Sequence, residues 1–190
     1  MAQNMSVAHA PTYEWTVEEY EKLNAAGIFT ESDRVELLNG EIIVMSPLGY
    51  RHAMAVMRLT EFFVEGSRRR YRVNPGNPIL LDDRSEPQPD LALLARGVDT
   101  QGRHPDPSQV FLLIEVSDSS LRYDREDKRP AYARRNVCEY WILNLEENVL
   151  EVYREPADGT YQDVHIFKAE ETVAPEAFPD LVVRVGDFLP

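Results

Sequence analysis

Val110-Phe111-Leu112-Leu113-Ile114-Glu115 decides how the chain reads. Five apolar residues without alternation describe a strand covered on both faces, at the centre of a sheet. Glu115 ends that strand, and an ionised carboxylate there is costly unless it is paired or bound to a metal. Upstream, Pro89-Asp90 stands where a second strand, Leu91 to Ala95, begins. If the two strands are antiparallel neighbours, the start of one lies beside the end of the other. Asp90 and Glu115 then meet in space. Two carboxylates at one point repel, and one pKa must rise unless a cation is present. Mg²⁺ or Mn²⁺ suits such a pair, completed by a backbone carbonyl, here that of Val116, and by water. Such an ion polarises a phosphodiester and activates a water.

Further out, Asn39-Gly40 separates Arg34 to Leu38 from Glu41 to Met45, the strongest short hairpin signal. Glu36 on that hairpin offers a third carboxylate. Thr16 with Glu19 has capping-box spacing, so a helix starts there and stops near Gly27. A second helix carries Ala53, Val56, Met57, Thr60, Phe63 and Val64 on one face and ends near Gly66, with His52 at its start. Short strands are expected at Tyr71 to Val73 and Ile79 to Leu81, and residues 96–109 read as a polar loop. A helix within 124–135 precedes strands at Glu139 to Leu145, Val149 to Tyr153 and Tyr161 to Phe167, the last two split by Asp158-Gly159. On the helix, Asp124, Lys128 and Tyr132 recur every four residues and share a face. Pro130 fits most easily in a first turn, which would start the helix near Asp127. Lys128 there could hold a phosphate oxygen or orient the attacking water. Read as a helix-surface lysine, it should be replaceable by alanine with little cost to the fold.

Each residue also has a plain structural reading. Glu115 could be a strand-end ion-pair partner, Lys128 a solvated lysine, and Glu36 a partner of Arg34. His52 reads as a cap or surface residue or as a phosphate contact. Tyr132, Tyr140 and Trp141 read as core. Cys138 has no nearby histidine pattern to make it a nucleophile.

The whole pattern resembles the Uma-type restriction-endonuclease family. The resemblance is carried by Glu36-Leu37-Leu38-Asn39-Gly40-Glu41-Ile42-Ile43-Val44-Met45-Ser46-Pro47, Pro89-Asp90-Leu91, Ile114-Glu115-Val116-Ser117, Asp124-Arg125-Glu126-Asp127-Lys128 and the run Tyr132-Ala133 to Val137-Cys138-Glu139-Tyr140-Trp141. It spans roughly residues 14–155. It implies an α/β, restriction-endonuclease-like PD-(D/E)xK fold, a mixed central sheet flanked by helices. In that superfamily a lysine usually stands two residues after the second acid. Here that position is Ser117, so the resemblance passes the lysine role to Lys128. Asn136 stands where the family more often has glycine, a change at a helix end that asparagine tolerates.

The bulk numbers bound the choice. The chain has 190 residues, 43% hydrophobic and 28% charged, which fits one globular domain over 13–190 after a loose tail at 1–12. One cysteine excludes an internal disulfide and suits a reducing compartment. No signal-peptide pattern and no stretch of ~20 apolar residues is present, so the expected location is the cytoplasm. The net charge of -13 argues against a nucleic-acid binder taken globally. Residues 51–138, with 13 acids and 15 bases, are the only part able to present a basic face; four arginines fall within Arg68 to Arg72 and six bases between Arg122 and Arg135.

Three functions compete: an Mg²⁺-dependent endodeoxyribonuclease acting on double-stranded DNA, a nuclease-like binding or regulatory module, and a phosphodiesterase on a small substrate. A homodimer would put two sites on one duplex, though no residue pattern demands it.

Overall fold

The computed structural model describes residues 12–30, 32–97 and 102–190. The expected tail, up to residue 11, and positions 98–101 of the expected polar loop lie outside the described residues.

Helix α1 (Val17–Ala25) starts at Thr16, whose hydroxyl accepts from the Glu19 N–H while the Glu19 carboxylate accepts from the Thr16 N–H. This is the expected capping box. Strands β1 (Val35–Leu38) and β2 (Glu41–Val44) form the hairpin, with Asn39 at φ 51° and Gly40 at φ 80°. Val17 and Tyr20 of α1 pack on Val35 and Leu37, clamping the hairpin against the body.

Helix α2 (Tyr50–Gly66) has the expected extent, but its buried face differs. Ala55, Leu59 and Phe63 are buried, whereas Ala53, Met57 and Val64 are exposed. The expected stripe is thus out by about one residue. Apolar residues at 53–57 fit two neighbouring phases, and the sheet selects the one that carries Leu59.

The main sheet has six strands: β3 (Tyr71–Pro75), β4 (Leu91–Ala95), β5 (Val110–Ser117), β6 (Glu139–Asn144), β7 (Val149–Ala157) and β8 (Thr160–Lys168), in chain order. All pairings are antiparallel except β5 with β6. That parallel pair needs a crossover. It is made by α3 (Leu121–Tyr123), a π turn (Asp124–Lys128) and α4 (Arg129–Arg134). The π turn places the Arg129 N–H on the Asp124 carbonyl. Pro130, which has no N–H to give, follows directly and sits in the first turn of α4. The helical segment therefore begins earlier than the expected 124–135, and the α-helical part that holds Pro130 begins at Arg129.

β5 is covered on both faces as its composition requires. Leu112, Ile114 and Val116 join one cluster with Leu59, Phe63 and Trp141; Val110 and Leu113 join the other with Tyr132, Tyr140 and Ile142. Ile79 to Leu81 is not a strand of this sheet. Ile79 and Leu81 are buried, but their N–H groups donate to the Pro87 and Ser85 carbonyls of their own loop. Pro78, Pro87 and Pro89 remove the donors that a ladder would need. Beyond the expected elements, a small ribbon of β9 (Thr172–Val173) and β10 (Val183–Arg184) covers the first cluster. Among the described residues no helix is long and apolar enough to cross a membrane.

The 79–89 loop is tied to the hairpin where the Glu86 N–H donates to the Leu37 carbonyl. Burial, reinforced by Glu21, pushes the Glu86 carboxyl up from 4.5 to about 7. His104 Nε2 lies 3.9 Å away. Because the folded value is the higher one, the native state holds the extra proton. The cost of the ionised group is present in full above the folded value and is relieved as pH falls through about 7 toward 4.5. Glu86→Gln is expected to stabilise the protein at pH 8 by on the order of 2 kcal/mol and by much less at pH 5. Urea unfolding at the two pH values checks this; an equal effect at both would show that the carboxyl does not titrate in this window.

Candidate active site

The β4–β5 register pairs Leu91 with Ile114, so Asp90 falls beside Glu115. The two residues interlock. The Val116 N–H donates to Asp90 Oδ2 at 2.7 Å, and the Asp90 N–H approaches Glu115 Oε2 at 3.4 Å. From α2, His52 Nε2 sits 3.0 Å from Asp90 Oδ2. These contacts on the Asp90 side chain use Oδ2, and Oδ1 takes none of them.

Lys128 arrives from the crossover. Its Nζ lies 3.0 Å from Glu115 Oε1 and 3.1 Å from Glu36 Oε1, and its side chain is only 4% exposed. Glu36 is fully buried, and its Oε2 accepts the Gln88 N–H at 2.7 Å. The Tyr132 hydroxyl donates to Glu115 Oε1 at 2.9 Å, from a ring packed edge-on against Tyr140. Asp124 takes the hydroxyls of Ser117 and Ser120. The expected clamp of Asp124 and Tyr132 directly on Lys128 is therefore replaced by Glu36 and Glu115, while Tyr132 fixes Glu115 from behind.

The electrostatics follow from burial. Burial raises the Glu115 carboxyl well above its usual range, opposed by Lys128 and reinforced by Asp124, Asp90 and Glu36. Burial alone would lower the Lys128 ammonium, but Glu115, Glu36 and Asp124 together outweigh it and hold it well above the ordinary lysine value. Lys128 is thus a fixed cation. Burial also raises Asp124 against the pull of Lys128 and the two serines.

These groups line a cavity of about 570 Å³ between the hairpin, the start of α2 and the crossover. Seven carboxylates and three Arg or Lys side chains line it. Among the described residues, one buried polar atom on its wall, His52 Nδ1, has neither a hydrogen bond nor an ion pair. Native structures rarely leave such an atom unpaired, so it marks where a ligand or water belongs. Tyr123 was not among the residues singled out by spacing. It precedes Lys128 by five residues, and the π turn brings its ring to 5.5 Å from Lys128 Nζ. A regular helical period gives no reason to group the two.

Among the described residues, no three His, Cys, Asp or Glu side chains already form a metal cage. The side chains that do converge, Asp90 and Glu115, offer hard carboxylate oxygens. That set, with water, fits Mg²⁺ or Mn²⁺, which keep several waters and need only one or two carboxylates.

A mixed sheet with helices on both faces and an acidic pair at adjoining strand ends defines a restriction-endonuclease-like nuclease fold. A crystal structure of a putative nuclease of the DUF820 group from Anabaena variabilis has the same fold: TM-score 0.69 at 16% identity, over 91% of this chain and 96% of that one. The chain belongs to the Uma2 family, described as "Putative restriction endonuclease", whose model matches residues 17–186. A fragment of the type IIG restriction endonuclease BpuSI aligns more loosely, with TM-score 0.40 and 15% identity over 63% of this chain and 14% of that one. No curated protein matches the sequence.

Proposed function

We propose that the protein is a divalent-metal-dependent endodeoxyribonuclease that hydrolyses phosphodiester bonds of double-stranded DNA. One observation carries this reading: Asp90 and Glu115 meet on the wall of an acid-rich cavity with a buried Lys128 in contact with Glu115.

In this reading Asp90, Glu115 and the Val116 carbonyl hold Mg²⁺ or Mn²⁺. When bound, the ion supplies Lewis-acid polarisation of the phosphodiester and a more acidic water. Lys128 adds a preorganised positive charge for the phosphate oxygens as charge develops on them. His52 fixes the rotamer of Asp90, and Tyr132 fixes that of Glu115. The Tyr123 phenol, raised by burial first and by Glu36 next, stays a neutral donor facing the same space. With seven carboxylates against three bases, the cavity repels a bare phosphate, so entry of the substrate depends on the cation.

That same imbalance favours a second reading, a nuclease-like fold that binds without cutting. Purified protein incubated with supercoiled plasmid, and separately with bis(p-nitrophenyl) phosphate, decides between them. Nicked or linear plasmid with Mg²⁺ or Mn²⁺, and none in EDTA, is the expected result. Hydrolysis of the small ester alone would make it a small-substrate phosphodiesterase. No hydrolysis with any divalent metal would leave the binding module.

A further inference from the structure

An acidic protein with an acidic active-site cavity needs a cationic foothold elsewhere to hold a polyanion. Most bases between Arg122 and Arg135 do not supply one. Arg122 pairs with Glu126, Arg125 with Glu151, Lys128 with Glu36 and Glu115, and Arg135 with Asp82. Arg70 is held by Asp180.

A different site stands at the β3 edge of the sheet. A cavity of about 300 Å³ is lined by Arg72, Asn74, Asn77, Leu94, Arg103 and His104 together with Val73 and Pro105, and no carboxylate lines it among the described residues. Inside it, Asn74 Oδ1 accepts the Asn77 side-chain amide at 2.9 Å, which fixes the orientation of the Asn74 amide. Asn74 Nδ2 is then a buried donor with no partner among the described residues. Arg103 and His104 are exposed, with His104 Nε2 3.9 Å from Glu86. Nearby, Arg96 donates to the Arg69 carbonyl, which places one more guanidinium group at the same end of β3 and β4.

The register relates this cavity to the active site. Arg72 pairs with Leu94, and Asn74 pairs with Ala92. Direct antiparallel partners share a face. Ala92 and Leu94 belong to the cluster that contains Leu113 and Tyr132. Asp90 lies two residues before Ala92 and Glu115 two after Leu113, so both acids project from this same face. From strand rise and spacing, the Asn74 and Asp90 backbones are about 8 Å apart. That separation is within reach of nearby phosphates of one strand.

We propose that this cavity is a second anion site, which takes a backbone phosphate of the nucleic-acid strand whose scissile bond lies in the acidic cavity. It rests on the nuclease reading for the strand's path but uses separate residues. Arg103 supplies charge, His104 a ring N–H, and the Asn74 amide a directional donor. Leu94 closes the floor.

The test uses Arg103→Ala/His104→Ala, two exposed positions, with Asn74→Leu as an independent variant. Binding of a fluorescein-labelled 20-base-pair duplex is followed by anisotropy in Ca²⁺ over a range of salt. The double variant is expected to bind about tenfold more weakly, with a salt slope smaller by about one, the signature of one lost phosphate contact. Asn74→Leu should weaken binding without changing the slope. Affinity for Mn²⁺ alone, by calorimetry, should stay unchanged in both. In the wild type, the Asn74 side-chain amide resonances should move on adding the duplex. Unchanged affinity and slope in the double variant, or no duplex binding by the wild type, overturns the proposal. Resonances that respond to inorganic phosphate while duplex binding ignores both variants mean a pocket for free phosphate, which also overturns it. If plasmid is cut yet the variants bind as wild type, the cavity fails and the nuclease reading stands. If nothing is ever cut but the variants lose the duplex, the cavity stands and the nuclease reading fails.

Discussion

Lys128→Met will destabilise the protein by about 3–5 kcal/mol at neutral pH, the cost of leaving buried charge uncompensated. Lys128 is 4% exposed and touches two carboxylates that are equally hidden. Methionine fills the path of the lysine stem but leaves Glu36 and Glu115 facing each other without a cation. Lys128→Ala adds a cavity to that loss. The surface-lysine reading, with its small cost to the fold, does not survive this burial. The control is Lys128→Met combined with Glu36→Gln, which removes one of the stranded charges and should recover a large part of the stability. Urea unfolding of the single and double variants measures both effects. A single variant within about 1 kcal/mol of wild type would mean that the carboxylates accept protons or water at little cost. Plasmid cleavage should fall by about 10²-fold or more in whatever Lys128→Met remains folded. Lys128→Arg should restore little, because a planar guanidinium cannot replace a compact ammonium between two fixed oxygens.

Asp90→Ala is expected to take cleavage to background and to weaken Mn²⁺ binding by more than about 100-fold, beyond the upper end for losing a group that only supports a ligand. Asp90 also accepts the Val116 N–H, so the variant loses about 1–3 kcal/mol from that orphaned donor. Relief of repulsion with Glu115 offsets part of it. His52→Ala provides the graded comparison. It removes the hydrogen bond that orients Asp90, along with the unpaired Nδ1 on the cavity wall, and should lower Mn²⁺ affinity or cleavage by about 10–100-fold. Calorimetric titration of Mn²⁺ into the three proteins ranks them directly. Equal affinity in wild type and Asp90→Ala would remove the shared metal site. A His52→Ala protein as impaired as Asp90→Ala would show that the imidazole itself touches the reacting groups.

Much of this protein is written in local chemistry. The capping box at Thr16 and Glu19 and the Asn39-Gly40 turn depend on residues within a few positions of each other, so they were legible before any tertiary contact. So was β5, because an unbroken apolar run has no polar face to show to water. The meeting of Asp90 and Glu115 followed from one assumption, that β4 and β5 are antiparallel neighbours, and the register bears that out. Other features had no local cause. The buried face of α2 depends on which of two adjacent stripes meets the sheet, and the helix alone is indifferent between them. The state of Ile79 to Leu81 turns on prolines that deny it a ladder. The burial of Lys128 is the largest case. Its spacing from Asp124 and Tyr132 describes one helix face, but not what covers that face. Only the packing of the β1–β2 hairpin over the crossover brings Glu36 to Lys128 Nζ, and only the π turn sets Tyr123 beside it. Sequence alone thus determined the strands of the main sheet, the hairpin turn and the meeting of the two acids, because short-range geometry and hydrophobic pattern suffice for them. The tertiary structure decided which charges are buried together, because desolvation depends on every element that closes over a group.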